Sequence, residues 1–368
     1  MAVKKTSASA KEGETIDTIV SDLRKEYGED ACFVLDGDDF SATSGIRHWI
    51  SSRIPTVDLA LGHPGIACGR LTTIAGTESS GKTTLALSIV ADVTSRGGTA
   101  WFFDTEHALD KDWAMRIGVD TTKCRVTQPA TLEECMDQMI FLVERLTELD
   151  DNKPHLVVWD SCSGTPTAAE VEAKMDQKTI ASAAKLVSEG MRKLTSPLAK
   201  SNVSLLFINQ HREDIGAFGW GGTSYTFRAF LPQAFHASVM LTVQRVGTLT
   251  RGEGPDATRF GITTRVKVGK NKIAVPLKQA DFRILFDERN DRWGPDIPGA
   301  YLDLATKYNL ARKLSQGFYE MEGVDKKFTE LQWCKTVMQE FDIVNKVNDL
   351  LWKDHPSRQK PVKAEKET

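Results

Sequence analysis

Apolar positions along this chain follow two rhythms. Short, mostly apolar runs at 71–75, 99–104, 155–159 and 203–208 predict buried strands, and 125–127 suggests a further short strand. Between them apolar residues recur every three or four positions, at 84–93, 108–117, 131–149 and 180–199, which predicts helices. Strand and helix alternate, so the expected class is α/β, with a mostly parallel central sheet and helices on both faces. Ahead of this block, 14–28 sets Ile16, Ile19, Val20 and Leu23 on one helical face and stops at Tyr27-Gly28. That apolar stripe suits either its own core or a neighbouring subunit. Residues 46–61 read as a further helix delivering the chain to the strand at 71–75. Beyond 236 the rhythm changes. Segments 236–245, 260–268 and 282–286 read as strands joined by glycine-rich turns, an antiparallel extension of the sheet.

These patterns suggest a layout. A disordered start at 1–13 precedes a helical oligomerisation segment at 14–45 and a core at 46–290. A small α+β domain follows at 291–352, with helices expected at 302–311 and 333–352. A Pro/Lys/Glu-rich tail at 353–368 is expected to be disordered.

Composition adds mostly exclusions. The 368 residues are 40% hydrophobic and 26% charged, an ordinary globular mixture. A formal net charge of −3 carries no global basic signal, so any nucleic-acid site must be local. The six cysteines, Cys32, Cys68, Cys124, Cys135, Cys162 and Cys334, form no C-x-x-C pair and none sits at zinc-ligand spacing from a histidine. They read as reduced core thiols of a cytoplasmic protein. No apolar run reaches the roughly 18 residues of a membrane span, and 1–13 lacks the apolar centre of a signal peptide.

Chemistry enters at Gly76-Thr77-Glu78-Ser79-Ser80-Gly81-Lys82-Thr83, which fits the phosphate-binding pattern G-x-x-x-x-G-K-[ST] in a strand–loop–helix context. Glycines let backbone N–H groups close on phosphate oxygens, and the helix N-terminus adds its positive end. Lys82 can reach the β- and γ-phosphates, and the Thr83 hydroxyl can ligate Mg²⁺. The chain is therefore expected to bind a nucleoside triphosphate. Asp160 ends its strand and suits a Mg²⁺-holding role through a Ser/Thr hydroxyl or water. Glu106, two residues past a strand end, can polarise an attacking water. Trp113 can stack on adenine or fill the core, and His107 reads as structural. Gln210 also ends a strand, where its amide can sense a γ-phosphate and order the chain beyond it.

That following stretch, 211–231, mixes glycines, Phe218, Trp220, Tyr225 and Phe227 with Arg212 and Arg228, a composition suited to stacking bases and neutralising phosphates of single-stranded nucleic acid. Core packing or a substrate lid would use similar residues. On the predicted helix 180–199, Lys185, Ser188 and Arg192 share one face, as phosphate contacts or as a solvated surface. Residues 245–278 gather eight basic side chains, among them Arg245, Arg265, Lys267, Lys270 and Lys272, against Glu253 and Asp256.

Together these residues resemble the bacterial RecA recombinase family. The pieces that carry the resemblance are Gly-Thr-Glu-Ser-Ser-Gly-Lys-Thr-Thr at 76–84, Phe-Asp-Thr-Glu-His-Ala-Leu-Asp at 103–110, Met-Arg-Lys-Leu at 191–194, Phe-Ile-Asn-Gln at 207–210, Thr-Arg-Val-Lys-Val at 264–268 and Lys-Asn-Lys-Ile-Ala-Val-Pro at 270–276. They run in family order from about 14 to 320. The resemblance implies an ATP- and Mg²⁺-dependent DNA strand-exchange protein that forms helical filaments on single-stranded DNA and pairs it with homologous duplex. It implies a nucleotide held by 76–84 with Asp110, Trp113 and Asp160, Glu106 as catalytic glutamate and Gln210 as γ-phosphate sensor. Lys270 and Lys272 would reach the adjacent protomer's ATP, and Phe235 would relay its state. Ile180 and Ile215 would wedge between base triplets. Lys185, Ser188 and Arg192 would hold the primary strand, and Arg245, Arg265 and Lys267 the incoming duplex. Loader and repressor proteins are further partners of such a protein. Three features depart from the family. The loop after Gln210 is longer than the family's, Ala229-Phe230-Leu231-Pro232 at its end stands in place of paired glycines and an asparagine, and the tail is basic instead of acidic. The rivals are a regulatory paralogue without strand exchange and a hexameric P-loop motor, which filament formation and DNA-stimulated hydrolysis separate from a recombinase.

Overall fold

A computed structural model describes residues 15–33, 45–149, 151–173, 182–210, 212–213, 225–226, 229–254, 257–353 and 355. By its contacts the chain divides into two compact units, Met1–Ile46 and Arg47–Thr368. In the first, helix α1 (Ile16–Tyr27) is capped by Thr15, whose side chain accepts from Thr18 N, and stops at Gly28, φ 100°. The two expected disordered ends lie almost wholly outside the described residues.

The second unit is organised around a nine-stranded sheet. Its strands in chain order are β1 (Leu71–Gly76), β2 (Ala100–Asp104), β3 (Cys124–Thr127), β4 (His155–Asp160), β5 (Val203–Gln210), β6 (Val239–Arg251), β7 (Thr258–Asn271), β8 (Gln279–Asp287) and β9 (Arg292–Pro295). Their spatial order is β9-β8-β7-β6-β1-β5-β4-β2-β3. From β6 to β3 the pairings are parallel; β7, β8 and β9 add antiparallel strands at one side. This is the α/β architecture with an antiparallel extension that the pattern predicts. β1, β4 and most of β5 are buried at every position, because helices cover both sheet faces.

One covering layer holds α3 (Lys82–Ser95), buried among Ile74, Val158, Ile208 and Leu241. The other holds α5 (Leu132–Glu148) and α6 (Ser182–Ala199), which bury Met136, Met139, Val187, Met191 and Leu194 against Trp159 and Phe207. The helices approach closely at Gly190, where a Cβ would lie 2.0 Å from Met136 Cε. A third cluster, with Trp333, Phe328, Leu302 and Val347 at its centre, forms the C-terminal part. There α8 (Ile297–Lys307) and α9 (Ile343–Trp352) pack with a small antiparallel sheet, Ala311–Lys313, Phe318–Met321 and Phe328–Thr329.

Several expected boundaries are corrected. The predicted helix 46–61 shrinks to α2 (Pro55–Leu61), started by its proline, while Trp49–Ile50 pairs with Ile66–Ala67 as a ribbon. The helix expected from 108 starts only at Lys111, as α4 (Lys111–Ile117), because Asp104 captures the N–H groups of Ala108 and Leu109. His236 ends a helix, α7 (Phe230–His236), instead of opening a strand. The expected helix 302–311 is shifted to α8, whose N-cap is Asp296, and Ala311 already belongs to a strand. The helix expected at 333–352 breaks at Phe341–Asp342, where Asp342 takes φ 51°.

Candidate nucleotide site

The site lies where the parallel strands end. β1 delivers the phosphate loop and α3 receives it. Both glycines of the motif are demanded by packing. A Cβ on Gly76 would sit 2.1 Å from Val243 O of β6, and one on Gly81 (φ 97°) would sit 2.4 Å from Ile284 Cδ1 of β8. The antiparallel extension also props the loop directly, since Thr264 Oγ1 of β7 donates to Ser80 O at 3.1 Å. Thr77, Glu78 and Ser79 stay exposed, and Ser79 adopts φ 55°.

Lys82 is buried and donates to Thr77 O at 2.7 Å. Burial pulls its ammonium below the ordinary lysine value, while the carboxylates of Asp160, Glu106 and Glu78 oppose that shift. Thr83 Oγ1 donates to Asp160 Oδ2 at 2.7 Å. Burial pushes the Asp160 carboxyl up to about 6, aided by Glu106 and Asp104 and countered by the Thr83 hydroxyl and Lys82. A buried carboxylate beside a hydroxyl is a donor set that a hard divalent cation satisfies. The buried Ser80 Oγ has no hydrogen-bond partner among the described residues. Exposed loop backbone, a buried cation and this carboxylate–hydroxyl pair fit a Mg²⁺–triphosphate.

Glu106 leaves the end of β2 on a turn fixed by Asp104. Its Oε1 accepts from the Ser161 hydroxyl and, at 3.0 Å, from the Gln210 side-chain amide. Gln210 is in turn steadied by its backbone N–H, which donates to Ser163 Oγ at 2.9 Å. The ends of β2, β4 and β5 thus converge on one exposed carboxylate. Sequence reasoning does not find Ser161 and Ser163; a serine following a strand-terminal Asp carries no spacing signal of its own. Asp110 caps α4 by accepting from Trp113 N at 2.6 Å, and Trp113 is partly buried against the α3-side core. Thr84 is half-buried in the first turn of α3.

Other expected residues lie elsewhere. β6 runs parallel to β1, with Met240 beside Thr73 and Val243 beside Gly76, while Met240 also faces Lys270 across β7. Lys270 and Lys272 therefore stand at the end of the sheet opposite their own phosphate loop. Lys270 Nζ donates to Ala234 O, and Lys272 Nζ to Phe235 O at 3.0 Å, both carbonyls of α7. Leu231 and Phe235 of that helix are 77% and 76% exposed. Arg265 and Lys267 share one face of the β6–β7 ribbon, but Arg245 pairs with Thr264, next to a bulge, and so falls on the other. The three do not form one patch, and Arg265 already holds Asp281 through two 2.7 Å bonds. Lys185 and Arg192 are exposed on α6 and Ser188 is half-buried, with Lys185 3.9 Å from Glu189. Ile180 and Ile215 lie outside the described residues, as does the side chain of Arg212, whose backbone pairs with Thr226.

Residues 14–290 match the family model of the RecA N-terminal domain. The chain is similar to Protein RecA of Oleidesulfovibrio alaskensis, 34% identical over 363 residues, 98% of this chain and 97% of that one. It is 36% identical to Protein RecA of Prochlorococcus marinus (strain MIT 9215) over 95% of this chain and 89% of the relative. With Protein RecA of Rhodococcus opacus it shares 38% identity over 84% and 83% of the two chains.

Proposed function

This chain belongs to the RecA family, and from that premise we propose that it is an ATP-dependent DNA recombinase, assembling on single-stranded DNA in the cytoplasm and exchanging strands with homologous duplex. The observation that carries the reading is the convergence of Ser161 and Gln210 on Glu106, beside the Lys82–Thr83–Asp160 cluster. In this reading Lys82 and the loop N–H groups hold the triphosphate, with Trp113 beside the base. Thr83 and Asp160 hold Mg²⁺, which supplies charge neutralisation when bound. Glu106, gripped by two donors, takes the proton of the attacking water. Gln210 has one amide for two partners, Glu106 and a terminal phosphate, and exchange between them couples nucleotide state to the DNA-binding stretch that follows. Lys270 and Lys272, remote from their own phosphate loop, act on the nucleotide of the next protomer. Lys185, Ser188 and Arg192, with Arg265 and Lys267 on a separate face, meet DNA phosphates.

The deciding measurement is ATP hydrolysis with and without single-stranded DNA, for wild type and Glu106→Ala, with electron microscopy of the same mixtures. Stimulation by DNA, its loss in the variant by about 10² or more as for a general base, and open filaments are expected. Hydrolysis indifferent to DNA, or closed rings, would overturn the reading.

A further inference from the structure

The interior behind Glu106 holds a buried polar knot. Asn209, Gln233 and Cys162 are each fully buried. Asn209 Nδ2 donates to Gln233 Oε1 at 2.8 Å, Gln233 Nε2 returns a bond to Asn209 Oδ1 at 3.2 Å, and the same Nε2 lies 3.2 Å from Cys162 Sγ. Two primary amides bond reciprocally only when face to face. A shift of about an ångström in either element breaks both bonds at once. If burial alone mattered, an apolar side chain would serve at Gln233 without the cost of desolvating amides. The amide instead fixes where α7 sits.

Position gives the knot its meaning. Asn209 immediately precedes Gln210, and Cys162 immediately follows Ser161. The two strand ends that grip Glu106 from one side are therefore gripped through their next residues by Gln233 from the other. Gln233 belongs to α7, whose Ala234 and Phe235 carbonyls receive Lys270 and Lys272 and whose Leu231 and Phe235 face outward. An unbroken chain of contacts runs from Glu106 through Ser161 and Gln210, then Cys162 and Asn209, to Gln233, α7 and the two lysines.

We infer that Gln233 is a positioning residue that couples the hydrolysis site of one protomer to the lysines it offers its neighbour. The inference rests on the recombinase reading, in which those lysines act in trans. When Gln210 changes partner, Asn209 moves with it. The reciprocal amide pair passes that movement to α7 and thence to Lys270 and Lys272.

The test uses the full chain with ATP, magnesium and single-stranded DNA, comparing wild type, Gln233→Met and Asn209→Leu/Gln233→Met. Methionine keeps the length of glutamine without its amide, and the double variant leaves neither amide of the pair orphaned. Steady-state hydrolysis gives kcat, KM and the Hill coefficient for ATP; thermal melting reports the fold. The double variant is expected to melt like wild type, with DNA-stimulated kcat lower by about tenfold, within the range of a site-to-site coupling, and a Hill coefficient near one. A double variant with wild-type kcat and Hill coefficient would reduce the knot to packing and overturn the inference, as would an unaltered Gln233→Met. Should the single variant melt early, the double variant decides. Failure of the recombinase reading shows separately, as wild-type hydrolysis unmoved by DNA, and that result removes this inference with it.

Discussion

Two side chains give Glu106 its place. A carboxylate accepting from a hydroxyl and an amide has its orientation set before any substrate arrives, which is where a general base gains its efficiency. The Ser161 hydroxyl also accepts from Gly164 N at 3.1 Å, so it is itself held. Ser161→Ala should therefore lower DNA-stimulated kcat by about tenfold, the lower range for a misplaced base, with KM for ATP close to wild type. A raised KM at unchanged kcat would assign Ser161 to nucleotide binding instead. At this scale the sequence is readable where a residue type sits in a spaced pattern, as with Lys82 and Thr83. It is silent where a common residue owes its role to a partner far along the chain. Ser161 meets Glu106 across 55 positions and Gln233 meets Asn209 across 24, and no local periodicity records either meeting.

Elements show the same division. β1, β4 and β5 are long, apolar and buried on both faces, so composition alone marks them. The Trp49–Ile50 ribbon and α2 read in sequence as one helix because two-residue strands are too short for any period to register. What breaks that segment is Asp58. From α2 it reaches back to accept from Ser51 Oγ (2.6 Å), Ser52 N (3.0 Å) and Ser52 Oγ (2.6 Å). Burial pushes its carboxyl up to about 6 despite those three donors, from an ordinary 3.8. A carboxyl with a folded pKa above its unfolded one binds the proton more tightly when folded, so its ionisation costs stability as pH rises from about 4 through about 6. Asp58→Asn keeps acceptor and donor capacity for the serines and removes that titration. Its Tm is expected to match or exceed wild type at pH 7, and the loss of Tm that Asp58 ionisation is expected to cause in wild type between pH 4 and 6 should disappear. An Asp58→Asn variant that melts well below wild type at pH 7 would assign the ionised form a stabilising role.

At the scale of the whole chain, the C-terminal part is joined to the sheet through charge as well as apolar packing. Asp296, 3% exposed, caps α8 through Gly299 N and binds Arg283 (2.9 Å) and Arg292 (2.5 Å), both of which also reach Glu330. Truncating it would leave two part-buried guanidiniums to share Glu330 alone, so Asp296→Ala is expected to be strongly destabilising. Within the same sheet, the opposition between the phosphate loop and Lys270 with Lys272 has a statistical consequence. If those lysines act on the neighbour's nucleotide as proposed, each protomer carries half a site at either end, and such halves join head to tail, not face to face. Lys82→Ala should be inactive, and so should a Lys270→Ala/Lys272→Ala variant, yet an equimolar mixture of the two should not be. If they copolymerise at random, about one junction in four joins an intact loop to intact lysines. The mixture should then hydrolyse ATP at about a quarter of the wild-type rate, a recovery that two variants damaged in one self-contained site can never produce.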